Sequence, residues 1–547
     1  MNEGAGTDLE VNSGGTVAVT GTGVIGGSGT FTLASGGTVQ LGSAAGITSS
    51  GATGNVQTTA RNFNSAGNYT YNGVSAQVTG NGLPTTLTGN ITAANSAGLT
   101  LTSSETINTP GVFTVNSGAV LTMGTTTISG TGTFTLASGG TLEIGSTAGI
   151  TSSGAIGNIQ TTTRTFNAGG NYTYNGTSVQ VVGSGLPATI NNLTIANSAG
   201  VSLSGNDQTV SGTLALTSGM LTTSANSLII GAAGSVTRTS GWILGNEQKV
   251  FGSTGAGKSF TFDIGDSSDY EPLAVSSLTV NTTGNLKAST THDRHPQLGT
   301  AGLNSSGCVA QYWTLSVVSG SYGTYQAQFT YPVEETSGTP STYFGKLWNG
   351  SAWSTAGSVS GMPENTTTTL AGLSSFGDFA LGSSGPIAIA DSFTRAPNLT
   401  LKILKSALIA NDTGSSVAFL SVSSSSTQGG TVVAGSGLYV FYTPANNNSD
   451  TFTYTITDIG GATAVGTVTI NVVAPGGIAQ SITATSGTVE ITFFGIPDFQ
   501  YDLQRATAVE GTYTTITGPQ TSSASDGKFT FTDTPGSGSF FYRSIQH

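Results

Sequence analysis

Charge is what this 547-residue chain has least of: 14 Lys and Arg with 26 Asp and Glu make up 7% of it, where an ordinary globular domain carries about 25%. The basic residues form no cluster, and the net charge is −12. A nucleic acid or an anionic membrane surface would find nothing to replace its condensed counterions, so neither is expected as a partner. A single cysteine, Cys308, excludes an intrachain disulfide; it reads as a buried thiol and leaves sheet packing to hold the fold. Three histidines, one of them the terminal His547, argue against a Ser-His-Asp triad. No apolar run approaches the length of about 18 residues that reads as a membrane span, so no membrane insertion is expected. The opening residues lack a charged segment followed by an apolar one, so any export signal is expected to be already removed or to lie outside these residues.

What the chain has is glycine, 81 residues of it, and Thr or Ser alternating with Val, Ile, Leu, Phe and Tyr. A period of two reads as strands with one buried face, and the 36% hydrophobic content is spaced too regularly for a disordered chain. The stretch from Gly29 to Thr38 returns letter for letter as Gly132 to Thr141. The same offset of 103 carries Arg61 to Arg164, Phe63 to Phe166, Tyr69 and Tyr71 to Tyr172 and Tyr174, and Leu83-Pro84 to Leu186-Pro187. Aligned apolar positions exchange only among themselves, which is the behaviour of a core; Phe31, Leu33, Phe134 and Leu136 are expected inside it. Strand candidates such as Thr30 to Leu33, Thr38 to Leu41, Asn68 to Asn72 and Leu99 to Thr102 are too short to stand alone. Stacked as coils of about 20 to 25 residues they would share one apolar column, so residues 1–240 are read as a parallel β-helix, with a row of β-sandwiches as the rival geometry. This part resembles autotransporter passengers. The match of Val11 to Gly14 with Val115 to Gly118 leads us to expect further coils upstream, and no outer-membrane barrel is expected after the last strand.

From Gly241-Trp242 the texture changes, and 241–385 reads as a β-sandwich module resembling one found in very large exported bacterial proteins. The runs that carry the resemblance are Phe260 to Gly265, His292 to Pro296, Tyr312 to Leu315, Leu347 to Gly350 and Phe376 to Gly382. Asp263, Asp266 and Asp269, three apart on a loop, are a calcium candidate by residue type; the plainer reading is that they cap turns. His292, Asp293 and His295 are a zinc candidate without a visible third strong ligand, and are read as a polar strand end. Gly252 with Gly257-Lys258-Ser259 meets the spacing of a phosphate loop, but Phe260-Thr-Phe-Asp263 is a strand where a helix is needed, so it is read as a turn.

Residues 386–474 run through Ala390-Asp391-Ser-Phe393, Asn411-Asp412, Gly429 to Val432, Tyr442-Thr-Pro444, Asp450 to Asp458 and Gly466 to Val472. This order closely resembles the cadherin-like, Ig-like repeats of bacterial adhesins. The resemblance implies a seven-stranded Greek-key sandwich with Phe452, Tyr454 and Ile456 inside, and calcium held by Asp391, Asn411, Asp412, Asp450 and Asp458; the Thr-Gly-Ser-Ser after Asp412 departs from the acidic pattern of many relatives. After an expected linker at 474–477, residues 475–547 resemble a fibronectin type III-like module, through Val489 to Phe493, Tyr501 to Arg505, Phe529 to Asp533 and Phe540 to Arg543.

The chain is therefore read as all-β, an N-terminal parallel β-helix followed by three β-sandwich modules. The function expected is a non-catalytic structural or adhesion protein, secreted or at the bacterial cell surface, with surface glycans or other cell-surface proteins as partners. The alternative is a carbohydrate-binding or polysaccharide-degrading β-helix protein. Degradation would need clustered charges, whereas residues 11–210 hold only Glu105, Glu143, Asp207, Arg61 and Arg164, far apart. Binding would need Tyr69, Tyr71, Tyr172 and Tyr174 exposed, and core packing is the favoured reading of those rings.

Overall fold

The computed structural model describes residues 7–547 apart from 338, 339, 362, 363, 365, 397, 398, 415, 459–461, 473–478, 496–499, 525 and 526. The linker expected at 474–477 falls outside the described residues. The protein is all-β and divides into two compact units: Met1–Asp293, Ala310–Glu335 and Leu347–Ala380 form one, and Arg294–Val309, Thr336–Lys346 and Leu381–His547 the other.

In the first unit, every strand pairing described before Trp242 is parallel. Val17 pairs with Val39, Val39 with Tyr69, Tyr69 with Ile91, Ile91 with Phe113 and Phe113 with Phe134. In-register parallel pairing sets like faces above one another, so these apolar side chains form one ladder, fully buried from Val39 to Phe134. A second ladder runs through Leu99, Leu121, Leu142, Tyr172, Leu193 and Leu214. Each such side chain contributes about 1.5–3 kcal/mol on burial. The ladders belong to separate nine-stranded and eight-stranded sheets, beside a three-stranded sheet of Thr7–Val11, Ile25–Leu33 and Val56–Phe63. Parallel pairing disposes of the rival sandwiches, which need antiparallel neighbours. The core expectations hold: Phe31, Leu33, Phe134 and Leu136 are buried.

The copies make the same pairing in different sheets. Phe31 pairs with Arg61 in the three-stranded sheet, whereas Phe134 pairs with Arg164 in the nine-stranded one.

The change of texture at 241 marks no break in the sheet. Trp242–Phe251 pairs in parallel with Met220–Ile230 on one side and antiparallel with Gly284–His292 on the other. Beyond it, Gly284–His292, Gln311–Val317 and Gly377–Ser384 continue antiparallel. A second antiparallel sheet holds Gly255–Phe262, Leu273–Thr282, Tyr325–Thr330 and Thr367–Leu373. Trp313 of the first sheet meets Phe329 of the second with ring centroids 5.1 Å apart, and both are fully buried. The segment Gly252 to Ser259, read as a turn, is strand from Gly255 onward, within Gly255–Phe262, and Lys258 Nζ donates to Ser253 Oγ at 2.9 Å.

The second unit contains a seven-stranded sandwich. One sheet orders Asp391–Arg395, Thr463–Val472, Asp450–Thr457 and Ala418–Val422; the other orders Leu401–Leu404, Tyr439–Thr443 and Thr431–Ala434. Phe452, Tyr454 and Ile456 point inward as the alternation requires. Two three-stranded sheets follow, packed around Ile491, Phe493, Leu503, Phe529 and Phe531. Cys308 is fully buried. No helix among the described residues is long and apolar enough to cross a membrane.

Candidate functional site

The four repeat tyrosines are core residues. Tyr69, Tyr71, Tyr172 and Tyr174 are at most 1% exposed, and each hydroxyl donates to a backbone carbonyl, of Asn64, Thr79, Asn167 and Val182 respectively. They offer no aromatic face to a sugar. Beside them, Gln77 accepts from Gly73 N and donates to the carbonyls of Leu41 and Ser43; Gln180 does the same with Gly176, Ile144 and Ser146. Asn95 and Asn197 complete the clasps by donating to the respective glutamine Oε1 at 2.9 Å. Sequence reasoning missed these clasps. The signal was a glutamine repeated where the alternation asks for an apolar residue.

Functional groups concentrate instead where the antiparallel sheets begin. The loop after Gly255–Phe262 carries Asp263, Asp266, Asp269 and Glu271. Asp263 is buried and accepts from Tyr270 OH at 2.6 Å; burial raises its pKa. Asp266 Oδ1 accepts from Ser268 N and Asp269 N at 2.6 and 2.7 Å, a turn cap. The three aspartates therefore do not converge as a calcium ligand set. Asp266 Oδ2 turns the other way and lies 2.9 Å from His292 Nδ1, at the end of the strand Gly284–His292. Glu335 Oε1, from a short 3-10 turn, lies 3.0 Å from the same nitrogen. These three residues bring their ligand atoms within 4.8 Å of one another. The zinc candidate from sequence is thus rearranged: His292 takes Asp266 and Glu335 as neighbours, while His295 is buried and accepts from Gln297 N at 3.1 Å.

Electrostatics here are unbalanced toward negative charge. Burial lowers the His292 pKa, but Glu335, Asp266 and Asp293 outweigh it and hold the ring above the ordinary imidazole value. Glu271, fully buried behind them, is pushed up to about 9, chiefly by burial and then by Glu335 and Asp266. Its Oε2 accepts from Thr290 Oγ1 at 3.1 Å, while Glu271 Oε1 and Glu335 Oε2 are buried with no hydrogen-bond partner among the described residues. A separate cleft of about 510 Å³ is lined by Lys249, Phe251, Lys258 and Phe260. Lys249 is not available there, since its ammonium donates to the carbonyls of Gly231, Ala232 and Gly234.

In the sandwich of the second unit, the residues implied as calcium ligands separate into three places. Asp412 Oδ1 accepts from Ile389 N and Tyr454 OH at 2.7 and 2.9 Å, and Asn411 Nδ2 faces the carbonyls of Ile389 and Ala390 at 3.4 Å. Asp391 belongs with them: burial raises its pKa, and Asp412 adds to the rise. Asp391 Oδ2 and Asp412 Oδ2 are buried without partners among the described residues. Asp450 is elsewhere and already saturated, accepting from Ser426, Thr427, Gln428 N and Tyr442. Those bonds outweigh burial and pull its pKa down to about 2. Asp458 caps its hairpin through Ala462 N at 2.9 Å.

Residues 383–471 match a family model described as a bacterial Ig domain, which agrees with the seven-stranded sandwich found there. No curated protein and no solved structure matches the chain.

Proposed function

We propose that the chain is a non-catalytic adhesion or structural protein, secreted or displayed at a bacterial cell surface. In it a parallel β-helix of the 103-residue repeats serves as a stalk for Ig-like and fibronectin type III-like modules. The observation that carries this reading is the bacterial Ig domain at 383–471 on the same chain as the parallel ladders of residues 7–238. Domains of that kind are typical of extracellular and surface proteins. The ladder pairings support the β-helix part: paired strands recur at intervals from 21 residues (Phe113 to Phe134) to 30 (Val39 to Tyr69), and like residues stack. Charged groups of the repeats are spent on internal bonds. Arg61 and Arg164 hold the carbonyls of Thr48 and Thr151, and Glu105 is fully buried.

Calcium belongs to the proposal at one place only. Asp391 and Asp412, each with a buried oxygen unpartnered among the described residues, fit a hard cation that takes carboxylate and carbonyl oxygens, and two carboxylates fit the weak affinity of extracellular modules. Asp450 and Asp458 do not fit, because protein donors occupy them. A glycan array with the purified protein, read with and without calcium, tests the function. Dose-dependent binding without turnover supports adhesion; hydrolysis products would refute it.

A further inference from the structure

We propose that Asp266, His292 and Glu335 form a binding site for a divalent transition-metal cation of the zinc type, which ties the 263–271 loop, the end of Gly284–His292 and the turn Val333–Glu335 together. The geometry is the first argument. Two carboxylate oxygens stand 2.9 and 3.0 Å from one imidazole nitrogen, and that nitrogen carries one proton at most. A single N–H serves one acceptor well; two acceptors converging on one nitrogen from different segments suit a cation that all three can share. The ligand atoms of a tetrahedral zinc site lie about 3.3 Å apart, given metal–ligand distances of roughly 2.0–2.1 Å. The two nitrogen–oxygen distances need to open by only a few tenths of an ångström, and the two carboxylate oxygens already lie within 4.8 Å of each other.

Charge and orphaned atoms are the second argument. Glu335 is 9% exposed and Glu271 is 0% exposed, yet each has one carboxylate oxygen without a hydrogen-bond partner among the described residues. Uncompensated buried carboxylate oxygens are costly unless something cationic meets them. One imidazole cannot balance Asp266, Glu335 and the neighbouring Asp269; a divalent ion at the centre can. The donor set gives the class of ion. An imidazole nitrogen with two carboxylates suits zinc and its transition-metal neighbours, whereas calcium and magnesium prefer all-oxygen shells. The His292 side chain is 58% exposed, which leaves an entry path and room for water to complete the coordination.

The test is calorimetric titration of the full chain with zinc chloride, alongside the H292A, E335Q and H547A variants, with folding checked by circular dichroism. One equivalent of zinc should bind the parent. The H292A and E335Q substitutions should each weaken binding by about tenfold or more. The H547A variant, which removes the separate His547–Asp502 contact, should bind like the parent. Cobalt substituted for zinc should show visible d–d absorption that is lost in H292A. His292 is solvent-exposed, so H292A is expected to fold; should E335Q unfold, the cobalt spectrum of H292A decides alone. No binding, binding unchanged in H292A, or equal competition by millimolar calcium would overturn the proposal.

Discussion

The two copies of the 103-residue repeat share their local chemistry and differ in their place in the sheets. Arg61 reaches Thr48 and the Gly51 carbonyl, and Arg164 reaches Thr151 and the Gly154 carbonyl in the same way. Asn55 and Asn158 each accept from a serine amide and donate to two carbonyls. Yet Phe31 lies in the three-stranded sheet and Phe134 in the nine-stranded one. Four pairings carry Val39 to Phe134, eight residues short of Leu142, the aligned partner of Val39. On the proposed β-helix, one repeat therefore makes four coils and one strand more, so each copy starts one face further round. The lesson is that identical sequence sets the turn and its clasp, while the number of residues per coil sets which sheet the strand joins.

The sharpest test of that equivalence is the glutamine clasp. Replacing Gln180 by Ala removes four hydrogen bonds and leaves buried amide and carbonyl groups unmet, a loss of about 3–4 kcal/mol. Gln77→Ala should cost the same, read as lost hydrogen-exchange protection in the flanking strands. A difference above about 1 kcal/mol would break the equivalence of the copies.

A smaller effect is expected where the copies differ. Glu105 and Gln208 occupy matching places, since Thr106 pairs with Thr86 as Thr209 pairs with Thr189. Burial pushes Glu105 up to about 7, so the folded chain holds a proton that the unfolded chain releases nearer 4.5. Stability from this group is then full below about 4.5, falls as pH rises to about 7, and is level above. Glu105→Gln should remove that slope and stabilise the first copy by about 2 kcal/mol at pH 7.5. An unchanged pH profile of exchange around Glu105–Ile107 would show that the carboxyl is solvated. Smallest is the arginine brace: Arg61→Met and Arg164→Met should each cost about 1 kcal/mol, because both side chains are partly exposed. The loss should appear as faster exchange in the 43–55 and 146–158 loops; slowing in the ladders instead would give the arginines a wider role.

Much of this was legible in the sequence because the alternation and the exact echo both act locally. Phe31, Leu33, Phe134 and Leu136 declare themselves core residues by period alone, and Phe452, Tyr454 and Ile456 do the same in the Ig domain. The candidate metal cluster was not legible. In sequence His292 stands beside Asp293 and His295, whereas its neighbours in space arrive from a loop, as Asp266, and from Glu335, which belongs to no motif. Asp391, Asn411 and Asp412 come together as their resemblance implies, but Asp450 satisfies itself with Ser426, Thr427 and Tyr442, none of which spacing could assign to it.

Parallel stacking of the repeats is the claim on which the rest depends, and a cysteine cross-link tests it. Thr92 and Thr114 are register partners on adjacent parallel strands, about 4.8 Å apart and within disulfide reach. Thr92→Cys with Thr114→Cys should oxidise readily, while Thr114→Cys with Thr122→Cys, on strands of different sheets, should not. A disulfide in the second pair and none in the first would put the strands in antiparallel hairpins and contradict the account.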